Sequence, residues 1–279
     1  MKKIIPFFLV LIFAATTFAQ DKKSESSCKP DVAVSFGLGQ IGYSNWAKGG
    51  ENQLSWSFNF VGNLVYETPE VKWTNAMKID YGRNQVGSGT NKVTQNDLLF
   101  NSMFSLKSDW ALDYYAGVNL ITQIAPGYNY EATPEIQVNS LFDPADVTES
   151  VGLIYSYNDV FKSQLGFGFH QVFAGSFYAK TDDPTTSIIE KSIYETGIES
   201  ITTAKLDFAE NLSWVTYLRL FSAFDRLDTW DVRWDNTLVG KINSWLNATF
   251  TWIVVYDVKE TLKTQVKEGL QIGISYKLL

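Results

Sequence analysis

The sequence predicts an all-β fold, a transmembrane antiparallel up-and-down β-barrel of about twelve strands. Three observations predict it. Apolar and polar side chains alternate along many segments. The connections between these segments alternate between long and short, and the N-terminus has the form of an export signal. The average composition hides this pattern, because 45% of the 279 residues are hydrophobic and 15% aromatic, yet the mean hydropathy is only −0.09.

Residues 1–19 have the three parts of a secretory signal peptide in the expected order. Two lysines form a positive end, a short apolar stretch follows, and small residues precede a cleavage site before Gln20. We expect residues 20–31 to be a flexible segment and residues 32–279 to form the barrel. Cys28 lies well past the apolar stretch, so we expect a free thiol there rather than a lipid attachment.

Residues 54–66 illustrate the strand pattern. Leu54 and Trp56 share one face of an extended strand and Ser55 and Ser57 share the other, because successive side chains of a strand point to opposite faces. Most of the predicted strands are long enough to cross a bilayer. The twelve segments are 32–43, 53–66, 71–83, 95–107, 110–124, 150–158, 162–178, 193–208, 212–224, 230–242, 245–257 and 267–278.

The connections between these segments alternate in length. Bacterial outer-membrane barrels have an even number of strands, short periplasmic turns and longer external loops, so we expect both chain ends in the periplasm. A soluble all-β protein is the alternative, but it gives no reason for the alternation. The five tight connections are 67–70, 108–109, 159–161, 209–211 and 243–244.

Aromatic residues lie at or just after all five tight turns, where a membrane–water interface favours them. Three polar residues fall on the lipid face, which indicates either a position near the interface or a β-bulge that resets the register. The aromatic residues are Trp73, Trp110, Phe161, Trp214 and Trp245, and the three polar ones are Asn75, Gln171 and Asn236.

Composition excludes several classes of protein. Past the N-terminus no apolar run reaches the ~20 residues of a membrane helix. The formal net charge is −7 with no basic stripe, so we expect no nucleic-acid partner, since such binding depends on Lys and Arg. A single histidine, His170, and a single cysteine make a multi-histidine metal site or a disulfide framework impossible. We expect no catalytic site, cofactor or metal.

One motif resembles the signature of a family catalogued as domain of unknown function 3078. The family implies a barrel in a Gram-negative outer membrane but no established activity. Its glycine pair permits positive φ, so we expect a folded loop that caps the barrel, with a ligand site as the alternative. The motif residues are Asn45, Trp46, Gly49, Gly50, Glu51 and Asn52.

The inward phase of the strands carries charges of both signs, which can tune the passage of solutes. Bulky Tyr115, Tyr217 and Phe221 share this phase, so an open pore and a filled, salt-bridged lumen both remain possible. The candidate lumen residues are Lys78, Asp80, Asp113, His170, Arg219, Asp231, Arg233 and Asp235, and further inward charges are Glu195, Glu199, Lys205, Asp207 and Lys241.

The longest connection, 125–149, holds five acidic residues and neither Lys nor Arg. Divalent cations bind carboxylate oxygens, but the spacing matches no defined cation loop, so we expect a solvated acidic loop. Those acids are Glu131, Glu135, Asp143, Asp146 and Glu149.

Taken together, these features predict a monomeric, porin-like outer-membrane barrel and not an enzyme. We expect a channel or binding barrel for small polar solutes. The alternative is a structural or accessory barrel with a filled lumen that meets partners through its external loops. Expected contacts are outer-membrane lipid, lipopolysaccharide and, during insertion, the barrel-assembly machinery.

Overall fold

A computed structural model describes residues 26–44, 50–158 and 160–278. Twelve antiparallel strands form one closed barrel, in the order β1-β14-β13-β12-β11-β10-β9-β8-β5-β4-β3-β2. The closure confirms the predicted fold class. No helix in these residues is long and apolar enough to cross a membrane.

The strands lie close to the predicted segments. A two-stranded hairpin, β6 with β7, lies outside the barrel within the longest connection, and a short 3₁₀ helix covers Tyr178–Lys180. The strands are β1 Ser27–Ile41, β2 Gln53–Glu67, β3 Val71–Val86, β4 Lys92–Leu106, β5 Asp113–Thr122, β6 Gly127–Asn129, β7 Ile136–Asn139, β8 Ala145–Tyr157, β9 Phe161–Phe173, β10 Ser192–Ala209, β11 Leu212–Ala223, β12 Asp231–Lys241, β13 Leu246–Asp257 and β14 Thr261–Lys277.

Three strands begin five or six residues earlier than predicted, and β9 ends at Phe173 rather than at 178. β1 begins at Ser27 rather than at 32, inside the stretch expected to be flexible. β8 begins at Ala145 rather than at 150, and β14 at Thr261 rather than at 267. These extensions carry charged or polar residues on both faces, so they lack the apolar alternation by which the other segments were found.

The two ends of the barrel differ in their connections. The loop end, as we call it, carries 42–52, 87–91, 123–144, 174–191, 224–230 and 258–260. The turn end carries 68–70, 107–112, 158–160, 210–211 and 242–245, together with both described chain termini. The predicted long connection after 257 is wrong, because the early start of β14 leaves only 258–260 between the strands. The alternation also fails at 87–91, because this loop-end connection of five residues is shorter than the neighbouring turn-end connection 107–112, which has six. It holds for the four other long connections.

The outer face of the barrel is apolar and the inner face polar. Outward side chains such as Phe167, Leu165 and Leu270 are more than half exposed, whereas most buried polar residues project into the barrel. A soluble protein rarely leaves so continuous an apolar surface uncovered. The alternation in the sequence therefore divides the residues between the two faces as predicted.

Two of the polar residues on the outer face belong to hydrogen-bond networks that a tryptophan indole joins: Trp73 bonds to Ser102 beside Asn75, and Trp214 bonds to Asn236 directly. Asn75 accepts a hydrogen bond from the Ser102 hydroxyl at 2.8 Å. The Trp214 indole donates to Asn236 at 3.2 Å, and Asn236 is 1% exposed. The strand register is unbroken beside both asparagines, so hydrogen bonds, and not a bulge, account for their position.

The seam between β1 and β14 is closed over only part of its length. Pairing runs from Ala33 opposite Lys277 to Gly37 opposite Gly273 and stops there. Towards the loop end, residues 38–41 and 266–272 have no partner across the seam, although each remains paired to the strand on its other side. Among the described residues, the barrel wall therefore has fewer backbone hydrogen bonds between neighbouring strands here than elsewhere.

Candidate functional site in the barrel lumen

A network of charges crosses the middle of the lumen. Asp97 on β4 receives a hydrogen bond from Lys267 on β14 at 2.8 Å, and its other carboxylate oxygen lies 3.8 Å from the Arg233 guanidinium on β12. β4 and β12 are six strands apart in a barrel of twelve, so this contact joins opposite walls. Arg233 also donates to Asp235 at 3.0 Å.

The same layer continues round the wall through β3 and β2. Lys78 lies 2.9 Å from Asp80, and Asn59 donates to the other oxygen of Asp80 at 2.8 Å. Gln271 in turn donates to Asn59 at 3.2 Å. Opposite charges thus offset one another within the layer, as buried ions require.

Bulky side chains fill the lumen beside β8 to β11. Arg219 donates to Glu199 at 2.8 Å and to the Thr148 hydroxyl at 2.6 Å. Glu199 and Phe221 are both 0% exposed. Gly168 faces this block, where a Cβ would lie 3.3 Å from both Glu199 and Phe221, so the absence of a side chain there leaves room for the filling.

A lysine from outside the strands enters the lumen at the loop end. Lys180 ends the 3₁₀ helix and lies 2.6 Å from Asp146 on β8 and 2.7 Å from Asp257 on β13. Burial alone would lower the pKa of Lys180, but these carboxylates and Glu260 outweigh it and raise the pKa above its ordinary value. The ammonium ion therefore ties the loop 174–191 across the mouth of the barrel.

A second ion-pair cluster lies beside Lys180. Arg226, in the connection 224–230, donates to Asp231 at 2.7 Å and to Glu195 at 3.1 Å. Burial opposes the charge of Arg226, but the hydrogen bonds and charges of both carboxylates raise its pKa. His170, 5% exposed, lies with its ring nitrogens 3.3 Å from Asp146 and 3.4 Å from Glu195.

At the turn end the lumen opens into a cavity of about 380 Å³. Asp113 lines it, with one carboxylate oxygen accepting the backbone N–H of Ser108 at 2.9 Å. Met103 and Ile154, both buried, form part of its wall. The structure thus places Asp113 at this mouth, far from the other predicted candidates, which lie in the mid-lumen and loop-end clusters.

The motif loop is described only in part, since Asn45, Trp46 and Gly49 lie outside the described residues. Gly50 has φ +131°, a conformation that glycine tolerates best. The side-chain oxygen of Asn52 accepts a hydrogen bond from the backbone N–H of Tyr43 at 2.7 Å. The backbone carbonyl of Asn52 accepts one from the backbone N–H of Gly87 at 2.7 Å. These contacts fit a folded loop fastened to the connection 87–91.

The predicted acidic loop is wrong in its extent. Asp146 and Glu149 belong to β8, and only the part 123–144 is a connection. Asp143 accepts the backbone N–H groups of Gly175 and Ser176 at 2.8 Å each, so it joins two loops. In the described parts of the chain, no group of three or more acidic, His or Cys side chains is arranged to hold a metal ion.

Several residues at the centre of these clusters were not singled out from the sequence. Asp97 and Lys267 have the inward phase of their strands, which was the one available signal. Lys180 and Arg226 lie in connections, where strand periodicity gives no information about direction. Only the folded loops bring them to the lumen.

Comparison with known protein families gives a match over part of this chain. Residues 38–128 match the family model for proteins of unknown function, DUF3078. The DUF3078 match therefore includes the residues that carry the motif, and it covers Asp80, Asp97 and Asp113 as well. No curated protein matches this chain.

Solved barrels are similar to this chain only at low scores. An outer membrane channel from Pseudomonas putida F1 is 12% identical with a TM-score of 0.38, covering 93% of this chain and 96% of its own. The translocator domain of the autotransporter NalP from Neisseria meningitidis is 8% identical with a TM-score of 0.33, covering 95% and 92%. The TodX monoaromatic hydrocarbon channel is 9% identical with a TM-score of 0.32, covering 92% and 90%. The strand pairing itself carries the barrel assignment.

Proposed function

We propose that the protein is an outer-membrane barrel of a Gram-negative bacterium, exported by a cleaved signal peptide. The apolar outer face and the tryptophans near the turn end support this location, since lipid requires apolar surface and a closed sheet. On this proposal the loop end faces the outside and the turn end faces the periplasm. We expect a monomer, inserted by the barrel-assembly machinery, with lipid and lipopolysaccharide around it.

Within that setting we propose a gated channel or binding barrel for small polar solutes. The observation that carries it is the contact of Asp97 with Arg233 on the opposite wall, together with its ion pair to Lys267 four strands away. A lumen lined by charges favours polar solutes, and ion pairs between opposite walls hold it closed until a solute or a change of state separates them.

Planar-bilayer recordings of the pure, refolded mature chain test this function. We expect rare, short openings for the wild type and several-fold higher conductance for the double variant Asp97→Ser/Arg233→Ser. This variant removes one charge of each sign, so the net charge of the lumen is unchanged. The matched control is Asp31→Ser/Lys277→Ser, an exposed ion pair of 3.1 Å at the turn end, which we expect to behave as the wild type.

The proposal is contradicted if none of the three proteins shows current, solute flux or solute binding. The accessory barrel with a filled lumen would then be the better account. The bulky block around Phe221 and Glu199 favours that second function. We propose no catalytic role for His170, because acidic partners face both of its ring nitrogens and burial removes it from any substrate.

A further inference from the structure

Strands β1 and β14 separate towards the loop end. Where they are still paired, a Cβ added to Gly273 would lie 2.7 Å from the carbonyl oxygen of Phe36. Further along, among the described residues, a Cβ added to Gly39 would have only the Ser55 hydroxyl of β2 within 4 Å, and one added to Gly269 only an atom of β13. At these two glycines no atom of the strand across the seam is in contact. We call this part of the seam the gap, bordered by residues 38–41 of β1 and 266–272 of β14.

The outer rim of the gap is apolar. Large aliphatic side chains border it on both strands, and each of them is more than half exposed. In a bilayer such side chains meet acyl chains, because the outer face of a membrane barrel is surrounded by lipid. The side chains of this rim are Leu38 on β1 and Val266, Leu270 and Ile272 on β14.

The inner rim of the gap is polar and carries little bulk. On β1 the inward positions there are Gly37 and Gly39, which have no side chain. The Gln271 side chain on β14 passes close to Gly37 and accepts a hydrogen bond from the Ser57 hydroxyl on β2 at 2.7 Å. Its amide group donates to the Asn59 side chain at 3.2 Å. Polar side chains that reach across β1 thus bound the gap on the side of the lumen.

Backbone groups at the edges of the gap have no strand partner. Leu278 donates its backbone N–H to the Val32 carbonyl across the paired part of the seam at 2.7 Å, and every second residue along each strand shares that direction. The backbone groups of Leu38, Leu270 and Ile272 therefore point into the gap. Hydrocarbon cannot satisfy such groups, so an occupant must offer polar atoms as well as an apolar chain.

We propose that the gap is a lateral binding site for an amphiphile, a molecule with a polar head on the side of the lumen and an acyl chain in the bilayer. The unpaired backbone groups and the Ser55 and Gln271 side chains bind the head, and Leu38 and Leu270 contact the chain. The lumen then communicates with the lipid as well as with the two mouths. The inference rests on the proposed membrane location, but not on the conduction of polar solutes.

Fluorescence quenching by a nitroxide-labelled lipid tests the site. A bimane fluorophore is attached to single cysteines of the mature chain, in the Cys28→Ser background, before refolding into phosphatidylcholine vesicles. The quencher is lysophosphatidylcholine with a nitroxide on its acyl chain. Gly269→Cys places the fluorophore inward at the gap, and Ser275→Cys is the matched control, inward on the same strand where the seam is paired. Leu270→Cys and Ile274→Cys are the outward references, since both side chains are more than half exposed.

We expect the fluorophore at 269 to be quenched at least about half as strongly as the one at 270, because acyl chains reach both through the gap. The fluorophore at 275 should show less than about a fifth of the quenching at 274, because a hydrogen-bonded wall separates it from the lipid. The fold tolerates a side chain at Gly269, since among the described residues only the Thr251 hydroxyl, at 3.6 Å, lies within 4 Å of an added Cβ.

Equal relative quenching at 269 and 275, whether weak or strong, would overturn the proposal, because the gap would then not be the route of the lipid. Quenching at 274 but not at 270 would overturn it too, since another polypeptide would then cover the gap. If neither outward reference is quenched, the barrel does not lie in the bilayer, and the proposed location fails together with this site. Conductance is measured separately, so the channel can fail while the binding site is confirmed.

Discussion

At the scale of single residues, Lys180 is the position at which the closure of the loop end can be measured. It is the cation between Asp146 and Asp257, and its side chain is 10% exposed. Removing one partner of a buried ion pair leaves uncompensated charge, whereas an exposed pair contributes little. The difference between Lys180 and an exposed lysine of the same loop therefore measures how firmly the loop closes the barrel.

We expect Lys180→Met to lower the free energy of unfolding by about 3 kcal/mol. Lys191→Met, an exposed position in the same connection, is the control and should change it by less than about 0.5 kcal/mol. Denaturant unfolding in lipid vesicles, followed by tryptophan fluorescence, gives both values. Equal effects of the two substitutions would contradict the buried tie.

The raised pKa of Lys180 gives this tie a dependence on pH. Its folded-state pKa lies above the unfolded value of about 10.4, so its contribution is fully present below that value and is lost as pH rises through the folded-state pKa. The stability difference between wild type and Lys180→Met should therefore be constant from about pH 7 to 10 and shrink only above. A difference that already falls at neutral pH would show that another group is titrating.

At the scale of elements, the seam between β1 and β14 is where the barrel wall is least complete. A strand edge without partners exposes backbone N–H and C=O groups, which neighbouring strands satisfy elsewhere. Antiparallel strands direct the amides of successive residues to opposite sides. The backbone N–H of Ser275 donates towards β13 and that of Leu278 donates towards β1. The backbone N–H groups of the even-numbered residues of β14 therefore point to the seam.

Hydrogen exchange should show this alternation. The amides of Val266, Glu268, Leu270 and Ile272 should exchange at least about tenfold faster than those of Lys267, Gly269 and Gln271, which bond to β13. Residue-resolved NMR in detergent micelles measures the rates. Ile274 and Tyr276, paired with β1, are the internal control. Uniform protection along β14 would mean that β1 and β14 are hydrogen-bonded along the whole seam, and would contradict this prediction.

At the scale of the whole molecule, the proposed orientation can be tested by cysteine labelling in intact cells. The background is Cys28→Ser, because Cys28 is free and exposed. An impermeant maleimide should label Glu131→Cys and Ser187→Cys, both in exposed loop-end positions. It should leave Glu70→Cys and Glu210→Cys at the turn end unlabelled. Labelling confined to the turn-end pair would invert the orientation.

How much the sequence predicted depended on the range of the interaction concerned. Trp56 and Ser57 were assigned to opposite faces because the strand period of two is a local property. The start of β14 was missed because Lys263 to Lys267 carry no apolar alternation. The hairpin β6–β7 was missed for the same kind of reason, since strands of three and four residues are too short to show a period.

The sequence by itself determined the barrel class, the inward and outward faces, and the polar character of the lumen, because each follows from periodicity along one strand. Only the tertiary structure decided which charges meet. Asp97 and Arg233 are partners because twelve strands with this stagger bring β4 opposite β12. Lys180 reaches Asp257 because a loop folds inward. Contacts across a lumen depend on closure, and closure is a property of all the strands together.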